Sequence, residues 1–300
     1  MPPARALRAA TRGSPLARWQ AEHVAALLRA ARPEVTVELL IVHTQGDRRL
    51  DVPIWELGGK GVFAKEVQAA VLDGRADLAV HSAKDLPSVT VPGLVIACVP
   101  ERGDPRDALV GATLDGLPQG AEVATGSLRR QVQLAAARPD LTFVGLRGNM
   151  ATRIAKAAEH DAVVVAAAAL DRLGRAGAIA ERLSTDVVLP QVGQAALAVE
   201  CRADRDDLVA LLAEVDHEPS RRCLEAERSF LAELGGDCSL PAAAYATVSP
   251  DGALSFEGRV ASVDGRSVLR HRTTGADPSV GAEVARHLLD VQGGRELLGR

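Results

Sequence analysis

Short apolar runs alternate with amphipathic stretches through the first two-thirds of the chain. Leu7 to Thr11, Val35 to Thr44, Leu78 to Val80 and Gly93 to Val99 read as strands, and Leu16, Trp19, His23, Leu27 and Leu28 recur at helical spacing after the first. Ser14 and Pro15 stand where that helix needs an N-cap and a first-turn residue. A second alternating region predicts strands at Glu122–Thr125, Leu141–Leu146 and Ala162–Ala168, with helices opening at Leu128 and Met150 and a third strand ending near Leu170–Gly174. Such alternation indicates mainly parallel sheets, hence an α/β fold class. Ala195 to Cys201 reads as one more buried strand or a helix start. After Pro219 the pattern changes to a helix from Cys223 to Leu234, three strands split by Pro250-Asp251-Gly252 and Asp264-Gly265, and a helix from Ser279 to Leu289. That is a small α+β domain with a meander sheet.

Two segments interrupt the alternation: the charged, Pro/Gly-bearing run Pro100 to Asp107, and Val187 to Gln194. Both read as crossings between domains. With 300 residues, two domains or three small ones are expected. Aromatics make up only 2%, so the cores should be aliphatic and tightly packed. A net charge of −4 argues against a nucleic-acid binder. Arginines interrupt the amino terminus, Met1 to Arg8, which lacks the apolar core of a secretory signal, and no run reaches membrane-spanning length. A cytosolic protein with reduced thiols is therefore expected. No Cys-x-x-Cys pair supports a zinc site, and no metal is expected.

The stretch Asp77 to Pro87 concentrates the candidate chemistry. An apolar strand runs straight into His81, Ser82, Lys84 and Asp85, and Pro87 pushes Leu86 toward extended geometry. The carboxyl end of such a strand is where open α/β sheets place ligands; a solvated Lys–Asp surface pair is the plain alternative. Arg12, just before the Ser14-capped helix, makes a candidate anion site, with a well-capped surface helix as the alternative. Gly58-Gly59-Lys60-Gly61 lacks the spacing and hydroxyl residue of a phosphate loop and reads instead as a glycine-hinged lid carrying a cation. Two strand-to-helix turns, with Ser127 and Asn149 as caps, bring Arg129, Arg130, Arg147 and Arg153 beside helix N-termini, and Arg172 joins them from the third strand. Singly, each reads as a solvated charge; a convergent set could hold a polyanion, at roughly 1.5–3 kcal/mol per charge-assisted contact. Cys98, Cys201 and Cys223 sit in apolar elements and read as core residues, whereas Cys238 lies on a glycine-rich loop where a thiol is accessible.

Several stretches in one order resemble porphobilinogen deaminases (hydroxymethylbilane synthases). They are Ala10 to Ala17, Gly58-Gly59-Lys60-Gly61 with Phe63, His81 to Pro87, Gly126 to Gln131, Leu146 to Asn149, Arg172-Leu173-Gly174, Gly193-Gln194 and the loop of Cys238. The resemblance implies two α/β domains like type II periplasmic binding proteins plus a small C-terminal α+β domain. It assigns 4–100 with 196–216, 101–195 and 217–300 to the three. It implies head-to-tail condensation of four porphobilinogen molecules into hydroxymethylbilane, with loss of ammonia each time, primed by a dipyrromethane cofactor in thioether linkage to Cys238. Asp85 is then the carboxylate that stabilises the azafulvene cation. Arg12, Ser14, Lys84, Thr125, Ser127, Arg129, Arg130, Arg147, Arg153 and Arg172 bind cofactor or substrate carboxylates, Arg12 and Arg153 also assisting the chemistry. Phe63 packs near the reacting rings and Lys60 belongs to the lid. A cytoplasmic monomer is implied, with porphobilinogen and the growing oligopyrrole as its partners and neither nucleic acid nor membrane among them. Departures from the family pattern are Gln45, Glu56, Gly126, Ala195 and Asp237. Two rival readings are a two-lobed small-anion-binding module and a Schiff-base enzyme using Lys84.

Overall fold

The computed structural model describes residues 6–44, 46, 61–235 and 240–299. The chain forms two compact units, Met1–Arg102 with Ala196–Arg221 and Gly103–Ala195 with Arg222–Arg300. Its first segment runs β1 (Leu7–Arg12), α1 (Pro15–Ala31), β2 (Val37–Val42), α2 (Lys65–Leu72), β3 (Leu78–Ser82), a tight 3-10 turn (Ala83–Asp85) and β4 (Leu94–Cys98). Next come β5 (Asp107–Val110), β6 (Glu122–Ala124), α3 (Leu128–Ala137), β7 (Thr142–Val144), α4 (Met150–Ala155), β8 (Ala162–Ala166), α5 (Ala167–Arg172) and β9 (Glu181–Arg182). The chain then adds β10 (Leu197–Arg202), α6 (Asp206–Ala213), α7 (Glu218–Glu233), β11 (Ala242–Val248), β12 (Leu254–Ala261), β13 (Val268–Gly275), α8 (Val280–Arg286) and α9 (Gly294–Leu297).

In the first unit the sheet order is β2-β1-β3-β10-β4. β1 is parallel to β2 and β3, but β10 is antiparallel to both of its neighbours. The sheet is therefore mixed rather than mainly parallel, because apolar periodicity carries no strand direction and β10 arrives only after the chain has built the second sheet. α1 lays Ala17, Ala21, Val24 and Leu28 on the sheet. There Ala21, Val24 and Leu28 meet Ala9, Leu78, Val80 and Leu197, a core that is aliphatic among the described residues. Strands buried on both faces read as apolar runs, as β3 does; the run from Ala195 to Cys201 left strand and helix start open, and the structure makes it the strand β10.

The second unit holds a mixed sheet of order β7-β6-β8-β5-β9 and the antiparallel meander β11-β12-β13. The strand predicted through Ala168 ends at Ala166, and the expected third strand end at Leu170–Gly174 is the helix α5 and its exit. Three consecutive alanines, Ala167 to Ala169, favour the helix there. Along β12, Leu254, Phe256 and Val260 face a core with Phe230 of α7 and Val284 of α8. Any side chain at Gly258 would collide with Phe230 and Val284, so this glycine sets how closely the helices approach. Cys98, Cys201 and Cys223 are buried thiols, as expected; burial pushes Cys98 up to about 12 and Cys201 up to about 11.

Candidate active site

The first unit presents its chemistry at the carboxyl ends of β1 and β3. These strands are parallel neighbours, so Arg12, which closes β1, and the turn after β3 come out on the same edge. Arg12 Nη1 lies 3.9 Å from Asp85 Oδ2, with side chains 22% and 30% exposed, enough for both to meet a ligand. The Arg12 guanidinium also lies over the Phe63 ring, 4.1 Å from its centroid, in a cation–π contact. A side chain at Gly46 would run into that ring, so the backbone at Gly46 seats Phe63. Ser14 caps α1 as expected, its Oγ accepting from Ala17 N at 3.2 Å, with Pro15 on the first turn. Lys84 is half-buried on the 3-10 turn beside Asp85. Beneath it, a buried polar trio ties β3 to β10 and α2: Glu200 lies 3.1 Å from His81 Nε2 and accepts from Gln68 Nε2 at 2.9 Å.

In the second unit, Arg129 and Arg130 open α3 but do not project into water. They are 3% and 5% exposed and converge on Asp107, which is fully buried at the start of β5. Asp107 Oδ2 is 2.8 Å from Arg129 Nη2, and Oδ1 accepts from Arg130 Nε and Nη2 and from Gln194 Nε2. Burial alone would raise the Asp107 pKa. The two guanidiniums and these hydrogen bonds more than reverse that and hold it at about 2. Two arginines against one carboxylate leave the cluster one positive charge in excess. Ser127 takes the N-cap position of α3 but makes no side-chain cap bond, while buried Thr125 accepts Ser127 N–H at 3.3 Å. Asn149 caps α4 as expected, accepting from Thr152 N at 3.0 Å. Arg153 donates from Nε to the Gly148 carbonyl at 2.9 Å, and Arg147 is half-buried on the preceding turn. Arg172 ends α5 and donates to the Ala195 carbonyl at 2.6 Å. Burial pushes Arg172 down to about 10, so an arriving carboxylate would restore the stabilisation that dehydration removes.

Two of the predicted site residues, Lys60 and Cys238, lie outside the described residues, as do Gln45, Glu56 and Asp237 among the departures. Another departure, Gly126, has a physical reason: a Cβ there would lie 2.5 Å from the Leu146 carbonyl oxygen. Asp107, Gln133 and Glu200, which hold the arginines and the β3 end in place, were missed by sequence reasoning, and Gln194, which bonds Asp107, was noted only within the resembling stretch Gly193-Gln194 and given no role. One signal was available for Asp107: an acid standing directly before the apolar run Ala108-Leu109-Val110.

The mixed α/β chain thus sets a part-exposed Arg12–Asp85 pair at one strand edge and a buried cluster with excess positive charge in its second unit, the kind of groups that a site for an acidic ligand needs. The family described as "Porphobilinogen deaminase, dipyromethane cofactor binding domain" matches residues 7–210, and "Porphobilinogen deaminase, C-terminal domain" matches 221–290. A porphobilinogen deaminase of Nitratidesulfovibrio vulgaris (strain Miyazaki F) is 49% identical over 287 residues, 94% of this chain and 90% of that one. That of Brevibacillus brevis is 46% identical over 294 residues, covering 96% and 95%. A solved TRAP periplasmic solute-binding protein from Desulfovibrio salexigens aligns at TM-score 0.42 and 13% identity, covering 72% of this chain and 73% of that one. The chain belongs to the porphobilinogen deaminase family, whose cofactor is dipyrromethane. The excess positive charge at Arg129 and Arg130 and the dehydrated Arg172 fit such a polycarboxylate. Among the described residues no helix is long and apolar enough to cross a membrane.

Proposed function

We propose that the chain condenses four porphobilinogen molecules into hydroxymethylbilane, with Asp85 as the carboxylate of the chemical step. One observation carries this: Asp85 stands at the end of a rigid buried strand, beside Arg12 and within a cluster that includes Phe63. The carboxylate offsets the positive charge left when the substrate sheds ammonia, and it accepts a hydrogen bond from the attacking pyrrole N–H. Arg12 fixes that carboxylate in orientation and is itself held flat by Phe63. Ser14 and Lys84 supply hydroxyl and ammonium donors on the same strand edge.

When bound through Cys238, dipyrromethane supplies the nucleophilic pyrrole that primes the chain. Arg129, Arg130, Arg147, Arg153 and Arg172, with the Thr125 and Ser127 hydroxyls, hold its carboxylates and those added by each condensation. Arg153 and Arg12 also assist the chemistry, and Lys60 belongs to the lid. The domains are read as 4–100 with 196–216, 101–195 and 217–300; three separate sheets support that division. The enzyme works as a cytoplasmic monomer, with neither nucleic acid nor membrane as partner. The test compares intact masses of the parent and the Asp85→Asn and Cys238→Ala variants after incubation with porphobilinogen. The parent and Asp85→Asn should carry an adduct of two linked pyrroles, and Cys238→Ala should not. Bare polypeptide in all three would overturn the reading in favour of a small-anion-binding module.

A further inference from the structure

The helix that carries Arg129 and Arg130 is held from two sides: by its own sheet through Asp107 and by the meander of the third domain. Strand alternation turns Phe256, Gly258 and Val260 of β12 toward α7 and α8, so Glu257 and Arg259 face the other way. Arg259 is 6% exposed and uses every edge of its guanidinium. Nε donates to Glu257 Oε1 at 2.8 Å, and Nη2 donates to the carbonyls of Thr185 and Asp186, each at 3.0 Å. Nη1 donates to Val187 O at 3.3 Å and to Gln133 Oε1 at 3.1 Å. Gln133 lies one turn after Arg129 on α3. Its Oε1 also accepts Leu189 N–H at 2.9 Å, and its Nε2 donates to the carbonyls of Leu189 and Arg129, each at 3.1 Å. Arg129 Nη1 donates to that same Leu189 carbonyl at 2.7 Å. At the β12–β13 turn, Gly265 has φ +72° and packs so closely on α3 that a Cβ would lie 2.9 Å from the Val132 carbonyl oxygen.

We propose that Arg259 is a positioning residue for the carboxylate-binding arginines: from the third-domain sheet it fixes Gln133 and the 185–189 turn, and through them the Arg129 guanidinium. The inference rests on the reading of Arg129 and Arg130 as cofactor-binding residues. Arginine is required at 259 because five donors in one rigid plane meet five acceptors; a lysine ammonium cannot span them. Glu257 remains paired with Arg270 and Arg272 when Arg259 is replaced, so the third-domain sheet keeps its buried carboxylate neutralised.

The test follows the rate at which protein made without porphobilinogen acquires the two-pyrrole adduct on exposure to porphobilinogen, read by intact mass. Arg259→Gln and Arg259→Lys should both load about tenfold more slowly, the scale of coupling between side chains that share hydrogen bonds. Gln133→Ala should be equally slow and, combined with Arg259→Gln, should add little further. Val284→Ala, which thins the core on the opposite face of β12, serves as the control for stability loss alone and should load at the parental rate. Parental loading in Arg259→Gln, or equal slowing in Val284→Ala at matched melting temperature, would overturn the inference. If Arg259→Gln fails to fold, Gln133→Ala decides in the same way. Arg129→Gln separates the two levels: parental loading there removes the arginine reading and the inference with it, whereas slow loading beside a normal Arg259→Gln removes the inference alone.

Discussion

A carboxylate taken fully out of water costs several kcal/mol unless its charge is matched, and Asp107 is matched twice over, by Arg129 and Arg130. Its folded pKa lies below the ordinary value of 3.8, so the stabilisation it supplies is complete above about pH 4 and is lost as pH falls toward about 2. Asp107→Asn should remove this part of the acid limb. At neutral pH it should cost about 3–5 kcal/mol, because two buried guanidiniums lose their counter-charge. Urea midpoints of parent and variant at pH 7 and pH 3 check both statements: the gap should narrow at the lower pH, and a constant gap would show that Asp107 does not titrate in that window. Asp85→Asn belongs to the other kind of residue, part-exposed and at a strand edge. It should retain cofactor and fold while turnover falls about 10²- to 10⁴-fold, the range for one acid–base or charge-stabilising group. Full activity by steady-state assay would remove Asp85 from the mechanism. The strand end that carries Asp85 was legible in the sequence because polarity breaks abruptly after Val80, whereas the choice of Asp85 itself came from the family resemblance. The burial of Arg129 and Arg130 was not legible, because a charged residue reads as solvated until its partner is known, and Asp107 and the Leu189 carbonyl are distant in the chain.

At the scale of elements, capping chemistry and apolar runs placed α1, β3, β8 and the meander with small errors at their ends. Direction and long-range return were not written in any local pattern, so the antiparallel entry of β10 and the helical α5 emerged only from the packed sheet. The approach to β10 carries an unusual backbone: Ala195 has φ +68°, the only positive φ among the described non-glycine residues. Its carbonyl is held by Arg172 Nη2 at 2.6 Å and Gly103 N at 3.3 Å, and the residue is 4% exposed. A left-handed alanine costs roughly 1–2 kcal/mol, and a glycine's extra unfolded-state freedom costs roughly 0.5–1 kcal/mol. Ala195→Gly should therefore stabilise the protein by about 0.5–1 kcal/mol, seen as a higher urea midpoint at unchanged slope. A lower midpoint would mean that the methyl group contributes more through packing than it loses through strain.

Over the whole molecule, an overall charge of −4 conceals a second unit built around buried cations, a contrast that composition alone averages away. Those cations are folded at a cost: burial lowers the pKa values of Arg129, Arg172 and Arg259, each of which would be better solvated in the unfolded chain. A polycarboxylate bound to Arg129 and Arg172 should recover part of that cost only in the folded state, so cofactor loading should raise thermal stability beyond what a tether to Cys238 alone would do. At roughly 1.5–3 kcal/mol per charge-assisted contact, loaded protein should melt about 5 °C or more above protein prepared without porphobilinogen. Arg129→Gln/Arg130→Gln should shrink this difference even in the fraction of molecules that carry the adduct by intact mass. If the loaded double variant gains as much as the parent, the carboxylates rest on other residues, and the buried pair serves the fold of the second unit rather than the cofactor.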